Sequence, residues 1–274
     1  MSVNPRTVHH LEIDDVIQRG GVKASEIHQL GAHETLTAFA RYQKYLEELL
    51  NGHQSMWMAA FRGSFGKEFW QTELMNGWKV MDIAMPLAST LDHETEKAFY
   101  FAAAKQMGLD PQAEHTIRNA GATRVHLIGE AIGNEDWDNH WMRERLASQG
   151  AGERIVGVCN LSPICESVML VDRPPGAPSF SDADAAELLG ALEEFRRLHY
   201  WMMLERGLVE PATKPLAPLE LEVVKALLGP DSEAQIADAL GLTQGVLHNY
   251  VSSIMRIFQV NSRHALVQLW IRNV

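Results

Sequence analysis

The chain has 274 residues, 46% of them apolar and 22% charged, and its 35 acids against 24 Lys and Arg set a net charge of −11. This is globular composition, ample for two cores, and it excludes a basic chain that would coat nucleic acid indiscriminately. Two cysteines, Cys159 and Cys165, exclude a disulfide scaffold and a four-cysteine zinc site. No apolar run nears the ~20 residues that span a bilayer, and the opening MSVNPRTVHHLEIDD lacks the basic-then-apolar order of a secretion signal. A soluble cytoplasmic protein with no membrane partner is expected.

In chain order, helices are predicted over 33–50, 94–107 and 137–148, and strands over 55–63 (SMWMAAFRG) and 77–85 (GWKVMDIAM). GERIVGVCNLSPICESVMLVDR predicts two strands, about 154–160 and 165–172, around a Ser162-Pro163 turn. Next comes a long helix, 181–206. Ser181 caps it with Asp184 three residues on, and Ala185, Leu188, Leu189, Leu192, Phe195, Leu198 and Met202 make its apolar stripe. Gly207 is placed to end it, and GLVEPATKP, 207–215, breaks the helical pattern. Strands and helices without regular alternation imply an α+β fold for residues 1–180. A linking helix and linker then cover 181–215, and a third segment covers 216–274.

That last segment reads as four short helices. Pro218 suits a first helical position ahead of Glu220, Glu222, Val223, Val224, Leu227 and Leu228. Ser232 with Gln235 forms a capping box, Gly241 stops the second helix, Thr243 caps the third and Ser262 the fourth. The spacing of Glu220 and Glu222, Ile236-Ala237, Leu240-Gly241-Leu242, Val251-Ser252, Ile254 and Val260-x-Ser262-Arg263 resembles the LuxR/GerE-type helix-turn-helix domain over its full length. The resemblance implies an all-α module whose third helix enters the major groove of double-stranded DNA, in a homodimer.

The departures fall where that family meets DNA. Ala234 stands where a Lys is usual, Leu219 where an Arg is usual, Ala217 replaces a threonine or serine, and the third helix reads Val246-Leu247-His248-Asn249-Tyr250 with Ser253 in place of a cation. From Lys214 on, five basic residues (Lys214, Lys225, Arg256, Arg263, Arg272) cancel five acids (Glu220, Glu222, Asp231, Glu233, Asp238), so residues 1–213 hold the whole −11. The expected DNA contacts are Gln244, Val246, His248, Asn249, Ser252, Ser253, Arg256 and Arg263. Asn can pair with adenine, and Arg can hold the phosphates. The alternative is a degenerate helix-turn-helix that acts as an adaptor or anti-activator by heterodimerising with a related regulator.

Upstream, a Trp-containing helix, a hairpin and then Arg173-Pro174-x-Gly176-x-Pro178-x-Phe180-Ser181 resemble the closing half of the GAF-like sensor domains that precede such modules. Asp110-Pro111 occurs without the Tyr and Trp context of the acyl-homoserine-lactone class, so that ligand is not implied. A small-molecule pocket would draw on Trp57, Phe61, Trp70, Trp78, Met81, Tyr100, Trp137 and Trp141, with Met58 and Met85 beside them; such residues serve equally as core.

Three other constellations compete with plainer readings. Glu135, Asp136, Asp138 and His140 could hold a metal, or acids there could answer a helix N-terminus. Cys159 and Cys165, symmetric about Ser162, would face each other across a hairpin centred there and suggest a redox switch, or be two buried core thiols. His9-His10 and His28 with His33 have no metal spacing. No organised pair of acid and base appears, so no catalysis, cofactor or resident metal is expected. The expected function is a DNA-binding transcriptional regulator responding to a signal through its first domain.

Overall fold

The computed structural model describes residues 21–63, 72–73, 76–84, 111–133, 140–148 and 150–272. They divide into two compact units, one of residues 21–28 and 37–196, the other of 29–36 and 197–272. The predicted helix 94–107 lies outside the described residues, as do Trp70, Met85, Tyr100, Asp110, the acids 135–138 with Trp137, and His9-His10.

The first unit is α+β. Helices α1 (Ala24–His28) and α2 (Thr35–Leu49) precede strands β1 (Gln54–Arg62), β2 (Thr72–Glu73) and β3 (Trp78–Ala84). Then come α3 (Pro111–Arg118), β4 (Arg124–Leu127), α4 (Ile128–Ile132), α5 (Trp141–Ser148), β5 (Glu153–Ser162), β6 (Cys165–Arg173) and α6 (Asp182–Glu194). Among the described residues the strands form one antiparallel sheet in the order β2-β3-β1-β6-β5-β4.

Side-chain alternation gives this sheet two different faces. Trp57 pairs with Met169, and Met169 with Gly157, so these three share one face. Helices α2 and α6 cover it: Phe39 meets Trp57 edge-on at 5.6 Å. Gly157 lets α6 come close, since a Cβ there would lie 3.0 Å from both Leu188 Cδ2 and Leu192 Cδ1. Met56, Ala60, Trp78, Val80, Val156, Val158, Val168 and Leu170 form the opposite face, packed with Ile117 of α3.

Two expectations about this unit are corrected. The hairpin turns at Pro163-Ile164, not at Ser162, and an irregularity between Asn160 and Ser162 shifts the register. Cys159 therefore pairs with Ser167 and Cys165 with Ser162, so the two thiols do not face each other. The helix expected over 181–206 is two helices. The first, α6, starts at the predicted Ser181–Asp184 box and stops at Phe195, where φ −99° and ψ 18° leave the helical region. The second, α7 (Arg196–Glu205), follows at once. Nothing in the residue pattern marks this break; the ring of Phe195 does. It stacks on His28 at 4.6 Å and packs with Tyr42 at 4.9 Å and Tyr45 at 5.6 Å.

In the second unit α7 ends as its glycine requires. Gly207 takes φ +69°, its N–H donates to Leu204, and the Leu208 N–H donates to Met203, a double-bonded C-terminal cap. After the linker come α8 (Pro218–Leu228), α9 (Glu233–Ala239), α10 (Gln244–Ile257) and α11 (Arg263–Arg272). Val223, Leu227, Ile236, Leu247, Val251, Ile254, Phe258, Leu266 and Trp270 are buried in this unit. Trp201 of α7 belongs with them: its Nε1 donates to the Trp270 carbonyl at 2.8 Å. Among the described residues no helix is long and apolar enough to cross a membrane.

Candidate functional site

Helices α9 and α10 are joined by a four-residue turn, 240–243, closed by Gly241 at φ +66°, whose N–H donates to Asp238 while Leu242 donates to Ala237. Thr243 Oγ accepts from the Val246 amide at 3.3 Å and starts α10. Leu247, Val251, Ile254 and Ile257 bury one side of it. Gln244, His248, Ser252 and Arg256, spaced four apart, form a stripe on the other side, with Val246 and Asn249 beside it; all six are exposed. At 1.5 Å per residue the stripe runs about 18 Å, enough to follow a major groove about 12 Å wide.

Two expected DNA contacts are occupied inside the module. Ser253 is half-buried and donates to Glu220 Oε1 at 3.2 Å. Arg263 turns inward to the end of α8: Nε donates to the Leu227 carbonyl at 2.7 Å, Nη2 to Gly229 at 2.5 Å and Ala226 at 3.4 Å, and Nη1 to Asp231. A cation there answers the helix dipole and the open carbonyls. Arg263 thus caps the end of α8. Lys214 pairs with the buried Glu220 at 3.2 Å and Lys225 with Glu222 at 3.0 Å. Arg256 is thus the cation left on the outer face of α10, and α9 exposes Glu233, Ala234 and Asp238 beside it.

The pocket expected in the first unit is not one lining. Trp57 lies on the α2–α6 face with its Nε1 donating to Ser167 Oγ at 2.7 Å, and Phe61 shares its side of β1. Trp78 is on the opposite face, and Met81 is the extra residue of a bulge, since Ala59 pairs with Asp82 and Ala60 with Val80. Trp141 is 47% exposed. Trp70, Tyr100 and Trp137 are outside the described residues. Among the described residues, then, these side chains do not share one face of the sheet.

A different cluster does gather polar groups in an apolar setting. Arg124 and His126 pair with Val158 and Val156, which puts both on the Trp78 face. Arg124 holds the buried Glu166 with two bonds, Nη1 to Oε1 at 2.8 Å and Nη2 to Oε2 at 3.0 Å. Nη2 also donates to the Thr116 carbonyl at 2.6 Å. Thr116 Oγ lies 3.2 Å from His126 Nε2 and donates to the Gln112 carbonyl at 2.8 Å. Burial, then the charges of His115 and Arg124, push the His126 pKa down to about 3, so the ring is neutral at physiological pH. Sequence reading passed over these residues: Arg124-x-His126 on a short strand carries no motif.

Both cysteines are buried and free; burial pushes Cys159 up to about 12 and Cys165 higher still, so neither presents a thiolate. Among the described residues no three His, Cys, Asp or Glu converge as metal ligands.

No family model matches the chain, and no curated protein matches it. Among solved structures it is similar to Escherichia coli SdiA, at 12% identity and a TM-score of 0.42 over 96% of this chain and 95% of that one. A structure of SdiA in complex with octanoyl-rac-glycerol gives 14% and 0.38 over 98% and 95%. The VqsR LBD domain from Pseudomonas aeruginosa gives 9% and 0.39 over 73% of this chain and 98% of that one.

Proposed function

We propose that this chain is a cytoplasmic transcriptional regulator, with a GAF-like sensor unit followed by a LuxR-type helix-turn-helix unit that binds double-stranded DNA as a homodimer. The outward stripe Gln244–His248–Ser252–Arg256 carries this reading. It lies on a well-capped helix after a tight turn, it opposes a buried stripe, and it is polar without internal partners. Asn249 and Gln244 supply base-edge chemistry, Arg256 a phosphate contact, and the first amides of α10 a weak anion preference. The sensor reading is supported by the Arg173 motif and by a buried polar cluster set in an apolar face. A signal bound there acts only if it binds one arrangement of the dimer better than another.

A second reading, an adaptor that pairs with a DNA-binding relative, is favoured by one observation. Lys214, Lys225 and Arg263 are engaged internally, and α9 shows acids where it would cross a phosphate backbone. Selection from a pool of random duplexes at low salt separates the two. Enrichment of a two-fold symmetric sequence is the expected result. No enrichment by the chain alone, with enrichment by a mixture with a relative, would establish the adaptor.

A further inference from the structure

The first turns of α10 carry residues that the fold of the module does not call for. Gln244, Val246, His248, Asn249 and Ser252 are exposed, and among the described residues none hydrogen-bonds or ion-pairs with their side chains. Val246, 42% exposed, is an apolar side chain turned away from the buried stripe of Leu247, Val251 and Ile254. Gly245 lies at the centre of the outer face, in line with Asn249, Ser252 and Arg256. A glycine inside a helix costs roughly 0.5–1 kcal/mol against alanine. Neither conformation nor packing asks for one here: the backbone is helical, and a Cβ would meet nothing within 4 Å. A bare Cα at that point serves a surface that comes close from outside.

The groove chemistry of these side chains is one-sided. In the major groove guanine is best met by Arg or Lys, adenine by the carboxamide of Asn or Gln, and thymine by apolar contact with its C5-methyl group. Between Gln244 and Met255 the helix has no Lys or Arg. Arg256 stands about 10 Å beyond Asn249 along the axis, which suits a phosphate further along the groove. His248 supplies one ring donor, about 200° around the helix from Val246. Val246 and Asn249, spaced i, i+3, are neighbours with Cβ atoms about 5–6 Å apart. Base pairs rise about 3.4 Å each, so these two side chains meet adjacent steps of a duplex.

We propose that α10 selects A·T pairs: Val246 packs on a thymine methyl, Asn249 takes the N6–N7 edge of an adenine on a neighbouring pair, and Gly245 lets the helix sit deep enough for both. The inference rests on the DNA-binding reading given above. A bound sequence rich in G·C would leave that reading standing and remove this one.

The test selects duplexes from a random pool with the full chain at low salt, then measures anisotropy on the enriched sequence. An A·T core is expected. Replacing its thymines one at a time by uracil, which lacks the methyl, should weaken binding about fourfold at one position. 7-Deazaadenine, which lacks N7, should cost about tenfold at a neighbouring position. Val246→Ala should abolish the uracil effect and keep the deazaadenine effect, and Asn249→Ala should do the reverse. Gly245→Ala should weaken the complex at least about fivefold, because only a docked surface meets the new methyl. All three positions are exposed, so each variant should melt no lower than the parent. A G·C core, losses that the two side-chain substitutions do not separate, or a Gly245→Ala complex as tight as the parent's would each overturn the proposal. No enrichment of any duplex would overturn it together with the DNA-binding reading.

Discussion

Arg173→Ala is expected to destabilise the first unit by roughly 3–5 kcal/mol, the range for removing one partner from a buried charge network. Every guanidinium hydrogen of Arg173 is used. Nε and Nη2 donate to the Leu50 carbonyl at 3.1 and 2.8 Å, Nη1 to those of Pro178 and Ser179 at 3.2 and 3.1 Å, and Nη2 also to Asp184 Oδ1 at 2.7 Å. The group lies 4.0 Å over the Phe180 ring. One side chain therefore ties the end of α2, the loop after β6 and the first turn of α6. Asp184 is held in turn by Ser181; burial works against its charge, but the Ser181 hydroxyl and amide and Arg173 outweigh it and hold its pKa below the ordinary value. Removing Arg173 leaves that carboxylate and three carbonyls short of partners. Amide exchange along β1 and β6 measures the loss, and Arg173→Met, which keeps the stem over Phe180, should recover only a small part. A loss under about 1 kcal/mol, the ordinary effect of a surface change, would refute this role.

The second large effect is one of pH. His126 has a native pKa near 3, against about 6.5 in an unfolded chain. Between these values the unfolded chain binds a proton that the native ring refuses. Stability then falls as pH is lowered from 6.5 toward 3, by about 1.4 kcal/mol per unit and about 5 kcal/mol in all, and is unaffected by this group above 6.5. Carboxylates titrate in the same window, so the informative quantity is the difference between parent and His126→Leu. Exchange of the β4–β5 amides should lose protection on acidification in the parent and much less in the variant. Parallel curves would mean that His126 is not held neutral by the fold.

Much of the framework was legible in the residues because it is local. The Ser181–Asp184 and Ser232–Gln235 boxes, the Thr243 and Ser262 caps, and the stops at Gly207 and Gly241 all form as their spacing predicts. Strand positions follow from alternation and apolar runs. What local pattern does not contain is tertiary. At the break Phe195 packs against three distant rings, and Arg196 beyond it donates to the Asn160 carbonyl at 2.6 Å. The hairpin register is set by the turn at Pro163-Ile164, with one irregularity near Leu161, so Cys159 pairs with Ser167 and not with Cys165.

The candidate sites divide in the same way. The outer stripe of α10 was readable from helical period, and six of the eight residues expected to touch DNA are exposed on it. Ser253 and Arg263 have internal partners that the residue pattern did not signal, because a polar side chain near a helix end serves a cap or a neighbour as readily as a phosphate. Arg124, Glu166 and His126 have no sequence signal, since what a buried polar side chain bonds to is visible only when the neighbours are in place.

The most direct test of a charge-poor recognition helix is the salt dependence of duplex binding, measured by anisotropy on a selected sequence. Arg256 as the one unpaired cation on the outer face of α10 among the described residues, and two modules per dimer, predict that log K falls with log salt with a slope of about −2, and that Arg256→Ala flattens it. A slope unchanged by that substitution, or no binding even at about 50 mM salt, would contradict a groove-bound α10.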